Sequence, residues 1–417
     1  MAIAERAGGP RHIELDELQA GAVEKLDPAS AAFINASGLA RVSPLGLGLY
    51  RLEPVGTVGS VRTGSVQVDV RPRGRLGLQK LLFLLSYSAE PGFSPHAVAA
   101  KESPDLWAAL ASSLALLGEQ ALGRGVLQGY REVDESLRTV KGRIRISEQM
   151  SRHPGLMVPL EVSYDEFSSD IAENRILRAA VERMMQVPGL LLEARSRLRH
   201  LKTKLDGVTY LTAGAPLPAW QPTRLNQRYH PALRLAALIL RHASAESGPG
   251  PQRASAFVVN MNHVFQDFVG TALRAAMAKH PGETRLRHGA LLNEAVDDAD
   301  RITVRPDVVH FLGGRPVMVY DARYTARTDA GASLSADHFQ VLAHCTALGV
   351  PSAWLIYAGK GEVTLRQILN TEIDIIEFPM DLSLPPARIL AAVDDLADQS
   401  WGEVVRQARL STLASPD

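Results

Sequence analysis

The chain has 417 residues, 46% hydrophobic and 22% charged, the mix of an ordinary globular protein long enough for two to three domains. Its formal net charge is zero, so any contact with nucleic acid must rest on locally basic stretches rather than on overall charge. Its one cysteine, Cys345, excludes an internal disulfide and any cysteine-based zinc site, and it reads as a core residue. Met1–His12 holds no apolar signal core, and no run approaches 18 apolar residues, so no membrane span and a cytoplasmic location are expected.

In chain order, Ile13–Leu18, Gly48–Leu52 and Val66–Arg71 read as short strands. Leu76–Ser86 is strongly apolar and suits a helix, as does Asp105–Ala121. Gln128–Ile146 reads as an extended arm, because Gly129, Gly142 and the alternating Arg143-Ile144-Arg145-Ile146 argue for strand. Asp170–Met185, Gly189–Lys204 and Asn226–His242 read as helices. Ala243–Ala256, with its Gly248-Pro249-Gly250-Pro251 core, has linker composition. The expected organisation is therefore a 1–242 region, a 243–256 linker and a 257–417 domain. No internal repeat is visible.

Charge is unevenly spread. Arg195–Arg241 carries nine Arg or Lys and one acid, Asp206, and Arg138–Arg152 carries five against Glu148. Such stretches suit contact with phosphate or an acidic partner, and equally a solvated helix face. Thr371–Asp417 is acidic, with nine acids and three bases. Gly123–Gly129 lacks the Lys-Ser/Thr of a P-loop, and no nucleophile-elbow pattern or metal-spaced histidine motif occurs.

The last domain holds the candidate chemistry. Val258–Met277 has apolar residues at helical spacing. Ile302–Phe311 and Pro316–Ala322 flank Gly313-Gly314 and read as a β-hairpin. With a three-residue loop, Gly313-Gly314-Arg315, Asp307 of Arg305-Pro306-Asp307 lies opposite Asp321 of Asp321-Ala322-Arg323-Tyr324. Asp321 and Arg323 are two apart and share a strand face. Two close carboxylates repel unless a proton or cation lies between them, and a hard ion, Mg²⁺ or Mn²⁺, is the usual resident. Ser335–Leu348 reads as a helix with Ser335 as N-cap, carrying Gln340 and His344 one turn apart. Pro351–Tyr357 and Val363–Ile368 read as strands, and Pro385-Pro386 opens a last helix to about Leu410.

The pattern Pro306-Asp307 then Asp321-Ala322-Arg323, in the order helix, strands, helix, strand, resembles the PD-(D/E)xK nuclease core. More of the chain resembles the McrC family, the nuclease subunit of McrBC-type modification-dependent restriction systems. The blocks include Gly48–Leu52, Val68–Pro72, Leu81–Tyr87, Val140–Ile144, Asp170–Leu177, Asn226–Leu233 and Phe265–Val269. The resemblance implies an α+β or mixed α/β fold with a β-rich and helical N-terminal region and a PD-(D/E)xK-like C-terminal domain. It implies Mg²⁺-dependent hydrolysis of double-stranded DNA in phage defence, driven by a separate AAA+ GTPase ring that docks the N-terminal half. Asp307 and Asp321 would hold metal, Arg323 would contact the scissile phosphate, Gln266 would be a neutral outer ligand and Gln340 would position backbone or water.

Two positions depart from the family pattern: Gln266 stands where Glu is usual, and Arg323 where Lys is usual. Gln is a neutral donor, and Arg stays protonated and cannot serve as a base. A second expectation therefore stands beside the nuclease: an adaptor that keeps the fold, binds the ring and stimulates its NTP hydrolysis without cutting. A third is a DNA-binding structural protein with no ring partner.

Overall fold

A computed structural model describes residues 10–17, 20–72, 78–89, 105–212, 214–247, 253–294, 300–324 and 332–413. The chain divides into two compact units. One takes Met1–His12, Ser60–Gln67 and Ala97–Phe257; the other takes Ile13–Gly59, Val68–His96 and Val258–Asp417.

In the first unit, helix Leu106–Ala121 is buried along most of its length and starts at Asp105, whose carboxylate accepts from the Trp107 N–H at 3.0 Å. Gly118 has no Cβ because one would sit 2.6 Å from Leu201 Cδ1 on helix Leu192–Lys204. Asp170 accepts from the Thr209 N–H at 2.7 Å and from Arg175 Nε at 2.8 Å. Asn174 donates to Leu127 O at 2.8 Å, and the Leu127 N–H donates to Tyr229 Oη at 2.8 Å. The blocks around Asp170 and Asn226 thus act as polar staples between segments distant in sequence.

The expected arm is a three-stranded sheet. Gly129–Leu137 pairs antiparallel with Leu160–Ser168 from Gly129↔Ser168 to Leu137↔Leu160, and Arg143–Ile144 pairs on the other edge. Residues 243–256, expected as a linker, are instead largely a strand pair: Ala243–Ser247 runs antiparallel to Arg253–Asn260, with Ala243 opposite Phe257. A Gly/Pro-rich run between two segments of strand length is also the signature of a hairpin connection. Gly248–Pro251 lies outside the described residues.

The second unit contains a small sheet of Ala22–Lys25, Leu49–Pro54 and Ala40–Gly46 in that order, and the six-stranded sheet that carries the site. Its elements are α1 (Met261–Met277), β1 (Glu283–Leu286), β2 (Val308–Leu312), β3 (Arg315–Arg323), α2 (Ala332–Leu348), β4 (Ser352–Ala358), β5 (Thr364–Gln367), β6 (Asp374–Met380) and α3 (Pro386–Leu413). The strand order is β1-β2-β3-β4-β6-β5. The β3–β4 and β4–β6 pairs are parallel, with Asp321↔Leu355↔Glu377 in one row and the other pairs antiparallel. Val319, Ala353, Leu355, Tyr357 and Ile375 face α2 and pack with its Val341 and Cys345. Tyr320 faces away from that cluster, its hydroxyl 2.7 Å from Ser400 Oγ of α3.

Helix α1 begins at Met261 rather than Val258, because the Asn260 side chain caps it by accepting from the Asn262 N–H at 2.9 Å. On its packed side, Gly270 lets the helix approach Leu286 and Val308; an added Cβ would meet them at 3.4 and 3.7 Å. Phe268 makes edge contacts with Phe83 and Tyr87 of helix Leu78–Ala89, centroids 5.5 Å apart in both cases. Helix α2 starts at Ala332, three residues before the expected Ser335 cap. Strand β6 escaped the sequence reading because Asp374, Glu377 and Pro379 interrupt its apolar run. Cys345 is buried as expected, and burial pushes its thiol up to about 12. Among the described residues no helix is long and apolar enough to cross a membrane.

Candidate functional site: a buried carboxylate pair at one end of the sheet

The hairpin that builds the site differs from expectation in one respect. Its turn has two residues, Gly313 and Gly314, both at positive φ (57° and 81°), as a type I′ turn requires. Leu312 pairs with Arg315 and Phe311 with Pro316, and then the register shifts so that His310 faces Met318. Val317 is the extra residue of that bulge. The shorter turn and the bulge compensate, so Val309↔Val319 and Val308↔Tyr320 follow the register that sets Asp307 opposite Asp321.

Asp307 precedes β2 and Asp321 lies near the end of antiparallel β3, so both stand at one end of the sheet. Their carboxyls are within hydrogen-bonding reach of each other, and Asp307 Oδ2 also accepts from the Ala322 N–H at 2.8 Å. Asp321 is 1% exposed. Burial, then the neighbouring Asp307 carboxylate, push its carboxyl up to about 8; burial raises Asp307 as well. Both carboxyls are thus pushed up, each by burial first, and the ionisation of one opposes that of the other.

Arg323, two positions along the same strand face, closes the site. Its Nη2 lies 2.6 Å from Asp321 Oδ2 and its Nε donates to Asp337 Oδ1 of α2 at 3.0 Å. The first contact is off hydrogen-bonding direction, so Oδ2 is ion-paired yet has no hydrogen-bond partner. His344 of α2, 1% exposed, brings Nδ1 to 3.9 Å from Asp321 Oδ1, and that nitrogen also lacks a hydrogen-bond partner. Burial, then Arg323, lower the His344 imidazole to about 4, so it is neutral at pH 7.

Asp307, Asp321 and Arg323 are therefore brought together. Gln266 is half-buried, one helical turn before Gly270 on α1, and its side chain has no hydrogen-bond partner among the described residues. Its neighbour Asp267 pairs with Arg287, whose N–H donates to Asp307 O at 2.8 Å. Arg287 holds a left-handed φ of 51°, a conformation uncommon outside Gly and Asn. Gln340 is exposed on α2, and its side chain likewise makes no hydrogen bond to another described residue.

The sequence reading missed Asp337, His344 as a site residue, and Arg287. Asp337 and His344 are seven apart, two turns along one helix face, which is the signal that could have found them. A second polar group lies on the same sheet face: Glu377, 2% exposed, accepts from Arg366 and from His338 Nε2, the latter at 2.9 Å. Among the described residues no three His, Cys, Asp or Glu side chains form a ready-made metal cluster. Arg323 already occupies one oxygen of Asp321, so a cation there would compete with a guanidinium.

A mixed α/β fold with an ionisable, water-poor centre at the strand ends is the general setting of a ligand or catalytic site. Residues 52–358 match the family described as McrBC 5-methylcytosine restriction system component. The match spans more than half of the chain, and the chain belongs to this family. No curated protein matches it. Among solved structures it is similar to one described as a refined half-complex from the tetradecameric assembly of Thermococcus gammatolerans McrB AAA+ hexamers with bound McrC. The TM-score is 0.58 at 16% identity, covering 94% of this chain and 100% of that one. The cryo-EM structure of the Thermococcus gammatolerans McrBC complex aligns with a TM-score of 0.40 at 18% identity, covering 65% and 90%. The first of these likenesses speaks for a shared fold.

Proposed function

We propose that this chain is the McrC-type subunit of its restriction system: a PD-(D/E)xK-like, metal-dependent endonuclease for double-stranded DNA that works with a separate AAA+ GTPase ring. The observation that carries this reading is the convergence of Asp307, Asp321 and Arg323 at one end of the sheet, in a chain of this family. The bound McrC of the Thermococcus structure supports the choice of subunit and of partner.

Two carboxyl groups supply oxygen donors of the kind a hard divalent ion takes. Asp321 carries a buried oxygen without a hydrogen-bond partner, and Asp307 stands beside it. These two would hold Mg²⁺ or Mn²⁺. When bound, such an ion lowers the pKa of water and offsets charge on the phosphate. Arg323 takes no part in proton transfer; its planar fork orients the scissile phosphate. Gln266 would be a neutral outer ligand and Gln340 would position water, as the family pattern implies.

A second reading is an adaptor that binds and stimulates the ring without cutting. The ion pair between Arg323 and Asp321 favours it, because the guanidinium already supplies positive charge where a metal would. Both readings give the arm the task of meeting the ring. Arg143 is exposed there and has no ion-pair partner among the described residues, whereas Arg145 is held by Glu148 at 2.9 Å and Asp134 at 3.2 Å. Arg143 is thus a cation available to a neighbouring nucleotide site.

The experiment is cleavage of methylated and unmethylated duplex by the full chain with the AAA+ ring of its own system, GTP and Mg²⁺. The nuclease reading expects cutting that Asp321→Ala abolishes. Stimulated GTP turnover without any cutting would establish the adaptor, and cutting that survives Asp321→Ala would remove the assigned centre.

A further inference from the structure

We infer that His344 is a nitrogen donor to the cation held at Asp307 and Asp321, so that the site takes a first-row transition ion such as Mn²⁺ in preference to Mg²⁺. The inference rests on the metal-site reading above and adds a ligand and a selectivity to it.

Two observations point there. His344 is almost fully buried, and its Nδ1 has no hydrogen-bond partner. Buried imidazole nitrogens are ordinarily satisfied, and an orphan calls for a bound water or ion. The nitrogen also faces the site: it stands 3.9 Å from Asp321 Oδ1. Two donors each about 2.1–2.2 Å from one ion stand roughly 3–4 Å apart, so the spacing suits a shared cation better than a direct hydrogen bond.

The surroundings hold the ring in place. His344 is on α2 one residue before Cys345, whose side chain belongs to the apolar cluster of Val319, Val341, Leu355 and Ile375. Asp337, two turns earlier on α2, holds the far side of the Arg323 guanidinium at 3.0 Å. A cation that draws Asp321 away from Arg323 leaves that guanidinium a carboxylate partner, so the exchange strands no buried charge.

The donor types set the selectivity. Mg²⁺ favours all-oxygen sites and sheds water reluctantly, whereas first-row transition ions accept imidazole beside carboxylate. An imidazole ligand therefore adds affinity for Mn²⁺ and little for Mg²⁺.

The test uses Mn²⁺ alone with the full chain. Binding is followed by loss of the free-ion electron paramagnetic resonance signal, and pulsed measurement on the bound ion reads nitrogen coupling. We expect ¹⁴N coupling in the unmodified chain, its replacement by ¹⁵N coupling when histidine is selectively labelled, and its loss in His344→Gln. Mn²⁺ affinity in that variant should fall about tenfold or more, while Mg²⁺ affinity, read by competition, changes by less than about threefold. Labelling histidine in the unmodified chain gives the readout even where the variant does not fold. Mn²⁺ binding that needs Asp321 but shows no histidine coupling overturns the inference and leaves the metal site standing. Mn²⁺ binding unchanged in Asp321→Asn, or no binding at all, overturns both.

Discussion

Arg323 and Asp321 stand two positions apart on one strand and face each other as an ion pair of 2.6 Å. The same guanidinium reaches Asp337 at 3.0 Å, so one cation serves two carboxylates in a setting where Asp321 is 1% exposed. Arg323→Ala removes the donor that both acids share. We expect a loss of about 1–3 kcal/mol in unfolding free energy, the cost of leaving a buried polar group without its partner. Arg323→Lys keeps the charge, and cleavage activity should be retained or raised. Denaturant unfolding of both variants separates these outcomes; equal loss in the two would show that geometry rather than charge matters at this position.

The raised Asp321 carboxyl gives a pH dependence with a defined sign. An unfolded carboxyl loses its proton near pH ~4, whereas the folded one holds it to about 8. Between these values the folded chain binds more protons than the unfolded chain, so stability falls as pH rises through the window. Asp307 is raised too and acts in the same direction. The metal-free chain should melt at a lower temperature at pH 9 than at pH 6. In Asp321→Asn this difference should shrink; an unchanged difference would place the titrating group elsewhere.

The bulge at Val317 keeps the acid pair in register despite a two-residue turn. Deleting Val317 shifts β3 by one position beyond the turn, and a one-residue slip sends every side chain to the opposite face. The deletion should abolish Mn²⁺ binding and cleavage. Retention of either in a folded deletion variant would mean that the register is set by the parallel pairing with β4 rather than by the turn.

Gly142 is the position on which the arm depends. Its φ is 71°, and a Cβ there would sit 2.3 Å from Ser163 O. Gly142→Val should detach the short strand at Arg143–Ile144 from its pairing with Ser163 and Val162. The expected result is a several-fold loss in stimulation of the ring's GTP turnover with Mn²⁺ affinity unchanged. Unchanged stimulation would remove the arm from the partner interface.

Much of the second unit was legible in the sequence because its signals are local. The apolar period of α1 and the paired glycines of the hairpin each fix one element. The opposition of Asp307 and Asp321 was legible too, although by way of a loop one residue too long. What escaped depends on partners distant in sequence. Glu377 makes β6 look like a poor strand, yet Arg366 and His338 satisfy it. Asp337 and His344 acquire their surroundings only when α2 lies across the sheet. Residues 243–256 read as a linker because pairing such as Ala243 with Phe257 leaves no periodic trace in so short a run.

In the proposed function, Asp307 and Asp321 form the cutting centre of a subunit whose other task is to engage an AAA+ ring. The most direct measurement records DNA cleavage and GTP turnover in one reaction, comparing the full chain with Asp321→Asn in Mg²⁺ or Mn²⁺. We predict that Asp321→Asn loses cleavage and keeps stimulation of GTP turnover. Equal cleavage by both proteins, or stimulation without cleavage by either, would contradict the account.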